Sequence, residues 1–540
     1  MTDSFPEFKR RPGSQDLLTV YNTLRFPALK CKLQNKMDFK KGLKGALIFA
    51  VFFTLLFHNQ YVGLNLLIIE AAALIWLAFT KQIDFTNRNH LIFGSGFFIT
   101  AVAVVFVFSD YAVVMNALSL FVFVGILIYP QARSLVSSAK LSFFNIFYAQ
   151  IRFIDAFFSA KVGGGKMARA LWKSRVFFIP VIVIGVFIAI YRSSNPVFDK
   201  LMEKIFTKVG DFLDSIFINL DLTLIFTFIL GLVICNYFFI RNTNEQTIRD
   251  DANASDEIVR IRRKRHSRGL TTGLKSELRA GVFLLLALNA VLLIVNSIDI
   301  YWVWFNFSWN GDFLKQFVHE GTYLLLLSIV CSILVVLYFF RGNLNFYTGN
   351  KFIRSLCLVW IVQNAVLTVS VGVRNFHYIR YFALAYKRIA LAVFLLFVIC
   401  WLYTVAVKVM RRKSAFYLVR TNALVLYVLL ISASVFNWDK IIVNYNFSHY
   451  RTSFVDLDYN SDFSDKVLPE LDKSEAELSE IDKIQQSKFH FDTELMPATI
   501  FHNKIERRKK EFVNTWESKS VLSWNYPEWQ AYETLKKRER

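Results

Sequence analysis

The chain has 540 residues, of which 55% are hydrophobic and 19% are charged, and its formal net charge is +22 at pH 7. This charged fraction lies below the roughly 25% of an ordinary soluble domain, which argues against a soluble globule, a disordered chain and a disulfide scaffold. The apolar residues lie in blocks of about 20, the length that crosses a hydrocarbon core of roughly 30 Å. The composition therefore predicts an all-α, multi-pass membrane protein.

Apolar blocks predict about eleven transmembrane helices that form a polytopic bundle. We place them near residues 42–58, 62–80, 90–109, 111–129, 174–191, 219–240, 280–299, 319–340, 352–373, 385–407 and 415–436. With a cytoplasmic N-terminus, the inward loops carry several times as many lysines and arginines as the outward loops, so the positive-inside rule predicts that the C-terminus lies outside. The net charge is thereby a topology signal, and we predict no nucleic-acid partner because no aromatic stacking pattern accompanies the basic run at 260–265.

The loops divide the chain into five predicted segments. They are a basic cytoplasmic segment (1–41), a first bundle of about six spans (42–240), a basic cytoplasmic loop (241–279), a second bundle of about five spans (280–436) and an extracytoplasmic, mainly helical tail (437–540). Two stretches, 141–158 and 197–217, repeat their apolar residues at helical spacing opposite charged and amide residues. We predict amphipathic helices in the plane of the membrane interface, or helices that pack across the ends of the bundle.

Polar residues inside the predicted spans are candidates for function because each one costs free energy unless it is paired. Gln363 and Asn364 lie in the ninth span, and amides between helices usually serve as packing contacts. Glu70 lies in the second span among leucines and alanines and has no route to water. It is a candidate for a transport or proton-relay role, and the alternative is a satisfied bond between helices.

Four cations on the predicted outer face depart from the positive-inside rule. Arg374 and Arg380 close the ninth span, and Lys387 and Arg388 open the tenth. A lipid phosphate, an acidic polymer or a bound carboxylate would explain them, and we predict an anion- or lipid-binding site here. The alternative is internal pairing with Glu320 or with the acidic tail.

His319, Glu320 and His377 are weak catalytic candidates on the same face. A neutral imidazole and a carboxylate that converge on one water could supply acid–base chemistry or hold a metal. The chain has no His-Glu-x-x-His helix, and a motif without its structural context is weak. We therefore predict no metal site and no cofactor.

The run from Tyr378 to Ile389, which follows His-Glu-Gly-Thr at 319–322, carries a resemblance to a known family. It resembles an uncharacterised family of bacterial multi-pass inner-membrane proteins, the domain of unknown function 4153/4173 type. The family pattern is Tyr-Ile, a short gap and Gly-Leu-Thr-x-x-Arg, and Ala383 and Ala385 stand here at the glycine and the threonine. The resemblance implies a multi-pass protein of a bacterial inner membrane and implies no activity.

Three functions from different classes agree with these features. The first is binding or transport-like handling of an anionic lipid or envelope precursor at the outer cations, which makes membrane lipids the expected partners. The second is an integral-membrane transferase that uses His319 and Glu320. The third is a structural or assembly role, in which the tail contacts an envelope protein. We rank them in this order.

Overall fold

The chain folds as helices throughout the part described by the computed structural model. That part comprises residues 39–159, 178–216, 221–260, 270–307, 311–347, 349–489 and 495–539. Within these ranges, β pairing is limited to an isolated bridge between Glu257 and Lys413. The prediction of an all-α protein is confirmed.

The membrane part of the chain contains fourteen of the helices described. They are α1 (39–57), α2 (Leu64–Phe79), α3 (Arg88–Phe106), α4 (Asp110–Ile128), α5 (Leu135–Ser159), α6 (Phe178–Ser194), α7 (Pro196–Ile216), α8 (Leu222–Phe239), α9 (Glu245–Asn253), α10 (Leu270–Asp299), α11 (Gly311–Phe339), α12 (Lys351–Phe382), α13 (Tyr386–Arg411) and α14 (Ala415–Ser434). A π-helix, Ile300–Phe305, continues α10.

The C-terminal tail is also helical. Its helices are α15 (Trp438–Ser448), α16 (Leu457–Ser461), α17 (Leu468–Leu471), α18 (Glu475–Lys488), α19 (Ala498–Glu517) and α20 (Tyr526–Glu539).

Seven helical runs in the described ranges are long and apolar enough to cross a membrane. They are Arg88–Phe106, Asp110–Ile128, Leu222–Phe239, Gly273–Phe305, Lys351–Phe382, Tyr386–Arg411 and Ala415–Ser434. Two shorter apolar helices, Leu64–Phe79 and Tyr323–Phe339, overlap further predicted spans. The chain is therefore a multi-pass membrane protein, whereas the count of about eleven spans and the orientation stay predictions.

Two compact units divide the chain, and the first comprises residues 1–59, 71–86 and 143–243. Its aromatic core includes Phe49, which contacts Phe239 with ring centroids 4.9 Å apart and Trp76 at 6.0 Å. Amide side chains of α5 bind the end of α8: the Asn145 amide donates to the carbonyl of Ile240 at 3.0 Å, and the Gln150 amide to that of Val233 at 2.9 Å. The polar face of α5 thus packs on α8.

Helices occupy the described residues of both stretches that the sequence predicts to be amphipathic, 141–158 and 197–216. On the apolar face of α5, Phe143 is exposed, and Phe147, Ile151 and Ile154 are half-buried. On α7, Val197 and Leu201 are exposed in the same way. An exposed apolar face on an amphipathic helix is typical of a helix at a membrane interface, which stays our prediction for both.

The second unit comprises residues 60–70, 87–142 and 244–540. Helices α10 to α13 enclose one apolar cluster in this unit, with Leu285, Ile333, Cys357 and Val405 at its centre. The hairpin α3–α4 packs closely because Ala103 and Ala112 lie at its contact. These helices pack like a membrane bundle, with small residues where backbones approach.

Loops at one end of this unit bind one another through two aspartates. Both Asp251 oxygens accept from the backbone amides of Arg133 and Ser134, at 2.8 and 3.2 Å. Asp256 pairs with Arg133 at 3.4 Å and with Arg420 at 3.1 Å. Segments distant in sequence therefore meet at this end.

The tail closes the opposite end of the same unit. Its own apolar core unites α15 to α20 and includes Leu471, Phe501 and Leu535, with Leu384 and Ile389 of the α12–α13 region packed against it. The Lys466 ammonium, whose side chain is only 1% exposed, pairs with Asp439 at 2.9 Å. It also donates to the carbonyls of Val107 and Phe108 at 3.2 and 2.7 Å. The tail is therefore a folded part of this unit.

Gly63 makes the tail's closest approach to α2 possible. A Cβ atom at Gly63 would lie 2.7 Å from the Ser523 carbonyl and 2.8 Å from that of Trp524, both backbone groups that cannot rotate away. We predict that Gly63→Ala lowers the free energy of unfolding by about 1–3 kcal/mol. The measurement is thermal unfolding in mild detergent, with proteolysis of the 519–525 segment as a local readout.

Gly185→Ala is the matched control, because no atom of the described residues lies within 4 Å of a Cβ atom at that helical glycine. It should leave stability unchanged or raise it by up to about 1 kcal/mol through helix propensity. Equal effects of the two substitutions would contradict the close contact.

Candidate functional site

The turn between α12 and α13 is the centre of the candidate site. Helix α12 ends where Ala383 takes φ 61° and ψ −166°, a conformation that essentially only glycine adopts without strain. Asn446 of α15 binds both backbone groups of the next residue, Leu384. The Leu384 N–H donates to Asn446 Oδ1 at 2.8 Å, and the Asn446 amide donates to the Leu384 carbonyl at 3.2 Å. The surroundings thus fix a strained turn.

Every carbonyl from residue 380 to 383 is satisfied at this helix end. The Ser453 hydroxyl donates to the carbonyl of Arg380 at 2.8 Å, and the Phe454 N–H to that of Tyr381 at 2.6 Å. Arg388 donates to the two carbonyls that follow, at 2.7 Å for the first of them. A helix leaves its last four carbonyls unpaired, so the tail and Arg388 together supply the C-cap of α12.

Arg388 is held inside the protein rather than presented to a ligand. Its guanidinium lies 4.6 Å from the centre of the Tyr378 ring while it caps the helix. The Asn375 amide donates to the Arg388 carbonyl at 3.0 Å. Arg388 therefore fixes the geometry of the turn.

Tyr459 of the tail completes the turn from the other side. Its hydroxyl oxygen accepts from the Tyr386 N–H at 3.3 Å, at the start of α13. Burial raises the pKa of Tyr459 to about 12, and the charge of Arg388 opposes this rise. The hydroxyl consequently stays protonated at any physiological pH.

Arg374 forms a buried ion pair with Asp299, the last residue of α10. Both side chains are only 5% exposed. Asp299 differs from the two sources of pairing that the sequence suggested, Glu320 and the acidic tail. Arg374 thus joins α12 to α10 and does not face the solvent.

The π-helix beyond Asp299 is clamped onto α12 by further polar contacts. The Trp304 indole N–H donates to the Ser370 hydroxyl at 2.9 Å. His377 contacts the Val303 carbonyl at 3.0 Å through Nε2 and stacks on Phe307 with ring centroids 4.0 Å apart. One ring nitrogen of His377 therefore binds a backbone carbonyl. This candidate for acid–base chemistry has a structural role in the described fold.

Arg380 and Lys387 are the two predicted cations that are exposed to solvent. Neither forms an ion pair with any residue in the described ranges. They flank the fixed turn, one at the end of α12 and the other in the first turn of α13. Exposed aromatic side chains lie beside them in sequence, Phe376 (59% exposed) and Tyr386 (43% exposed).

The remaining candidates lie elsewhere. Gln363 donates to Asn289 at 2.7 Å across α12 and α10, and Asn364 donates to the Trp360 carbonyl of its own helix at 2.7 Å. Glu70 accepts from Asn116 of α4 at 2.9 Å. The side chains of His319 and Glu320 lie outside the described part of the structure.

Sequence reasoning missed the groups that organise the turn. Asp299, Asn446 and Tyr459 lie far from it along the chain, and single polar residues carry no pairing information. One signal was available for Asp299, which ends a predicted span on the same face as Arg374.

A family model described as a domain of unknown function (DUF4153) matches residues 43–474. No curated protein and no solved structure matches the chain.

The Asp299–Arg374 pair generates a prediction about stability. Asp299→Asn removes the negative charge that pairs with the buried guanidinium, and we expect the free energy of unfolding to fall by about 3–5 kcal/mol. The double variant Asp299→Leu/Arg374→Met removes both charges and should recover most of this loss. Thermal unfolding in detergent measures both, and a double variant as unstable as the single one would contradict the pair's role.

The strained turn generates a second prediction. Ala383→Gly relieves about 1–3 kcal/mol of backbone strain and costs about 0.4–1 kcal/mol through the freer unfolded chain. We expect a net gain in stability of about 1 kcal/mol, measured by thermal unfolding.

Ala385→Gly is the control, because Ala385 has an ordinary extended backbone with φ −149° and ψ 159°. It should lower stability by a few tenths of a kcal/mol up to about 1 kcal/mol. A loss of stability in Ala383→Gly would show that the turn is not strained.

Proposed function

The chain belongs to the DUF4153 family, to which no activity is assigned, and we propose that it binds an anionic head group at the α12–α13 turn. The ligand in this proposal is a phosphate-bearing lipid or lipid-linked envelope precursor. In this proposal Arg380 and Lys387 contact the phosphate. Arg374 holds α12 against the end of α10, and Arg388 caps the end of α12.

The observation that carries this proposal is that Arg380 and Lys387 are exposed and have no ion-pair partner in the described ranges. They lie on a turn that is ordered without a ligand. Its carbonyls are already satisfied by Arg388 and the tail, so binding would cost little conformational entropy. Arginine and lysine at a membrane surface attract phosphate groups through charge-assisted hydrogen bonds.

Helix polarity supports an anion at this place. Lys387 lies in the first turn of α13, a helix of 26 residues whose positive dipole end adds to the side-chain charge. The opposing negative end of α12 is covered by the Arg388 guanidinium. The net field at the turn therefore favours a negative group.

Exposed aromatic residues support a lipid over a soluble anion. Phe376 and Tyr386 are large and exposed next to the cations, and such side chains are enriched where membranes meet water. An acyl or polyprenyl chain would cover them while its phosphate meets the cations.

The topology that we propose places this turn and the tail on the extracytoplasmic side of a bacterial inner membrane, with the N-terminus in the cytoplasm. The loop bias in lysine and arginine supports this orientation. An envelope ligand would then reach the site from the outer leaflet.

An assembly role for the tail is the other proposal that an observation favours. The tail exposes Val521, Tyr526 and Trp529 on one short segment, which could bind an envelope protein. Truncation near 450 would not test this role, because Ser453 and Phe454 cap α12. No contact in the described ranges favours a transferase.

Thermal unfolding in mild detergent tests the lipid site. Phosphatidylglycerol, a polyprenyl diphosphate, inorganic phosphate and phosphatidylcholine are added in turn to the unmodified protein and to Arg380→Ala/Lys387→Ala. A ligand at 100 times its Kd adds about 2.7 kcal/mol, and we expect this stabilisation from the anionic lipids in the unmodified protein alone. A shift with inorganic phosphate would assign a soluble anion instead.

Arg507→Ala/Lys510→Ala is the matched control, because it removes two exposed cations from α19 of the tail. It should keep the full lipid response. Equal responses in all three proteins, or no response in any, would overturn the proposed site.

A further inference from the structure

Glu70 is a carboxyl group inside the bundle that the proposed lipid site does not use. It is the seventh residue of α2 and lies roughly 9 Å along the axis from Leu64, the first residue. The residue is only 8% exposed, and Ile68, Ile69 and three alanines adjoin it in sequence. It therefore lies within an apolar helix and away from water.

One neutral side chain, Asn116, contacts this carboxyl and links it to a second, Thr100. The Asn116 amide of α4 donates to Glu70 Oε2 at 2.9 Å and to the Thr100 hydroxyl of α3 at 3.4 Å. Thr100 gives its own hydroxyl proton to the Phe97 carbonyl at 2.8 Å. Glu70 consequently receives one hydrogen bond from this cluster, and the donor is uncharged.

Nothing in the described ranges provides Glu70 with a counter-charge. None of the ion pairs includes it, and the titratable residues of α3 and α4 lie toward the helix ends. His90 is about 15 Å along α3 from Thr100, and Asp110 and Tyr111 are about 8–9 Å along α4 from Asn116. On α14, Tyr427 meets Ser119 at 2.9 Å.

Asp299 provides a contrast within the same protein. It is also buried, but it contacts the Arg374 guanidinium, so a positive charge lies beside it. An isolated carboxylate in an apolar site costs so much free energy that the group takes up a proton instead. The two buried acids thus have different surroundings, a guanidinium beside Asp299 and a neutral amide beside Glu70.

We propose that Glu70, together with Asn116 and Thr100, is a proton-binding site within the membrane bundle and holds a proton at neutral pH. A single proton is the ligand, and Asn116 is a positioning residue that can donate to the carboxyl in either state. The site is independent of the lipid site at the α12–α13 turn.

The test is labelling of the full-length protein with N,N′-dicyclohexylcarbodiimide, an apolar reagent that adds to carboxyl groups only in their acid form. The modified residue is identified by mass spectrometry of peptides. We expect Glu70 to be labelled at pH 7 within about twofold of its rate at pH 5, whereas an ordinary glutamate loses about a hundredfold of its acid form over that range. Asp299, which has a cation beside it, is the internal control and should be labelled more slowly than Glu70.

Infrared difference spectra provide a second readout that does not depend on access of the reagent. The carbonyl band of a protonated carboxyl group should be present at pH 7 in the unmodified protein and lost in Glu70→Gln. Asn116→Leu removes the neutral donor that also stabilises the anion, so the band should persist. Absence of the band at pH 7, or a hundredfold fall in labelling, would overturn the proposal.

Labelling in the presence of Na⁺ distinguishes a proton site from a sodium site formed by the same residues. A carboxylate, an amide oxygen and a hydroxyl could also bind Na⁺, which would then protect Glu70 from the reagent. Labelling at constant pH should be unchanged when NaCl replaces choline chloride. Protection by Na⁺ would assign a sodium site and contradict a proton site.

Discussion

A buried lysine, Lys466, joins the C-terminal tail to the end of the membrane bundle, and the packing at this end of the second unit depends on it. Its ammonium has three donors, and all are used, by Asp439 and by the carbonyls of Val107 and Phe108. A buried charge is tolerated only when it is paired and fully hydrogen-bonded. If the tail left the α3–α4 turn, the Lys466 ammonium would lose its hydrogen bonds to the carbonyls of Val107 and Phe108.

Because the tail is held there, it can complete the turn between α12 and α13. Asn446 and Tyr459 bind the turn, while Ser453 and Phe454 cap the helix that enters it. Ala383 keeps a conformation suited to glycine only because these contacts outweigh its strain. The family pattern that the sequence resembles has glycine at this position, which is the residue that this backbone conformation favours.

The four cations that the sequence predicts as an anion site divide into two kinds. Arg374 and Arg388 bind groups of the protein itself: Arg374 pairs with Asp299, and Arg388 donates to backbone carbonyls. Internal pairing was the alternative that the sequence left open. Arg380 and Lys387 remain exposed and carry the proposed lipid site. The two buried acids also differ, because Asp299 has a cation beside it and Glu70 has a neutral amide.

Composition and hydrophobic block length by themselves determined that this chain is a multi-pass helical membrane protein, because burial in lipid demands long apolar helices. Local periodicity likewise located helices at 141–158 and 197–217, since an amphipathic pattern depends only on neighbours three and four residues apart. Only the tertiary structure decided which polar groups meet. Arg374 binds Asp299, which is 75 residues away in sequence, and Leu384 binds Asn446, which is 62 residues away. No local sequence pattern specifies such partners. The sequence therefore identified the candidate residues, and packing decided which of them bind the protein itself and which face a ligand.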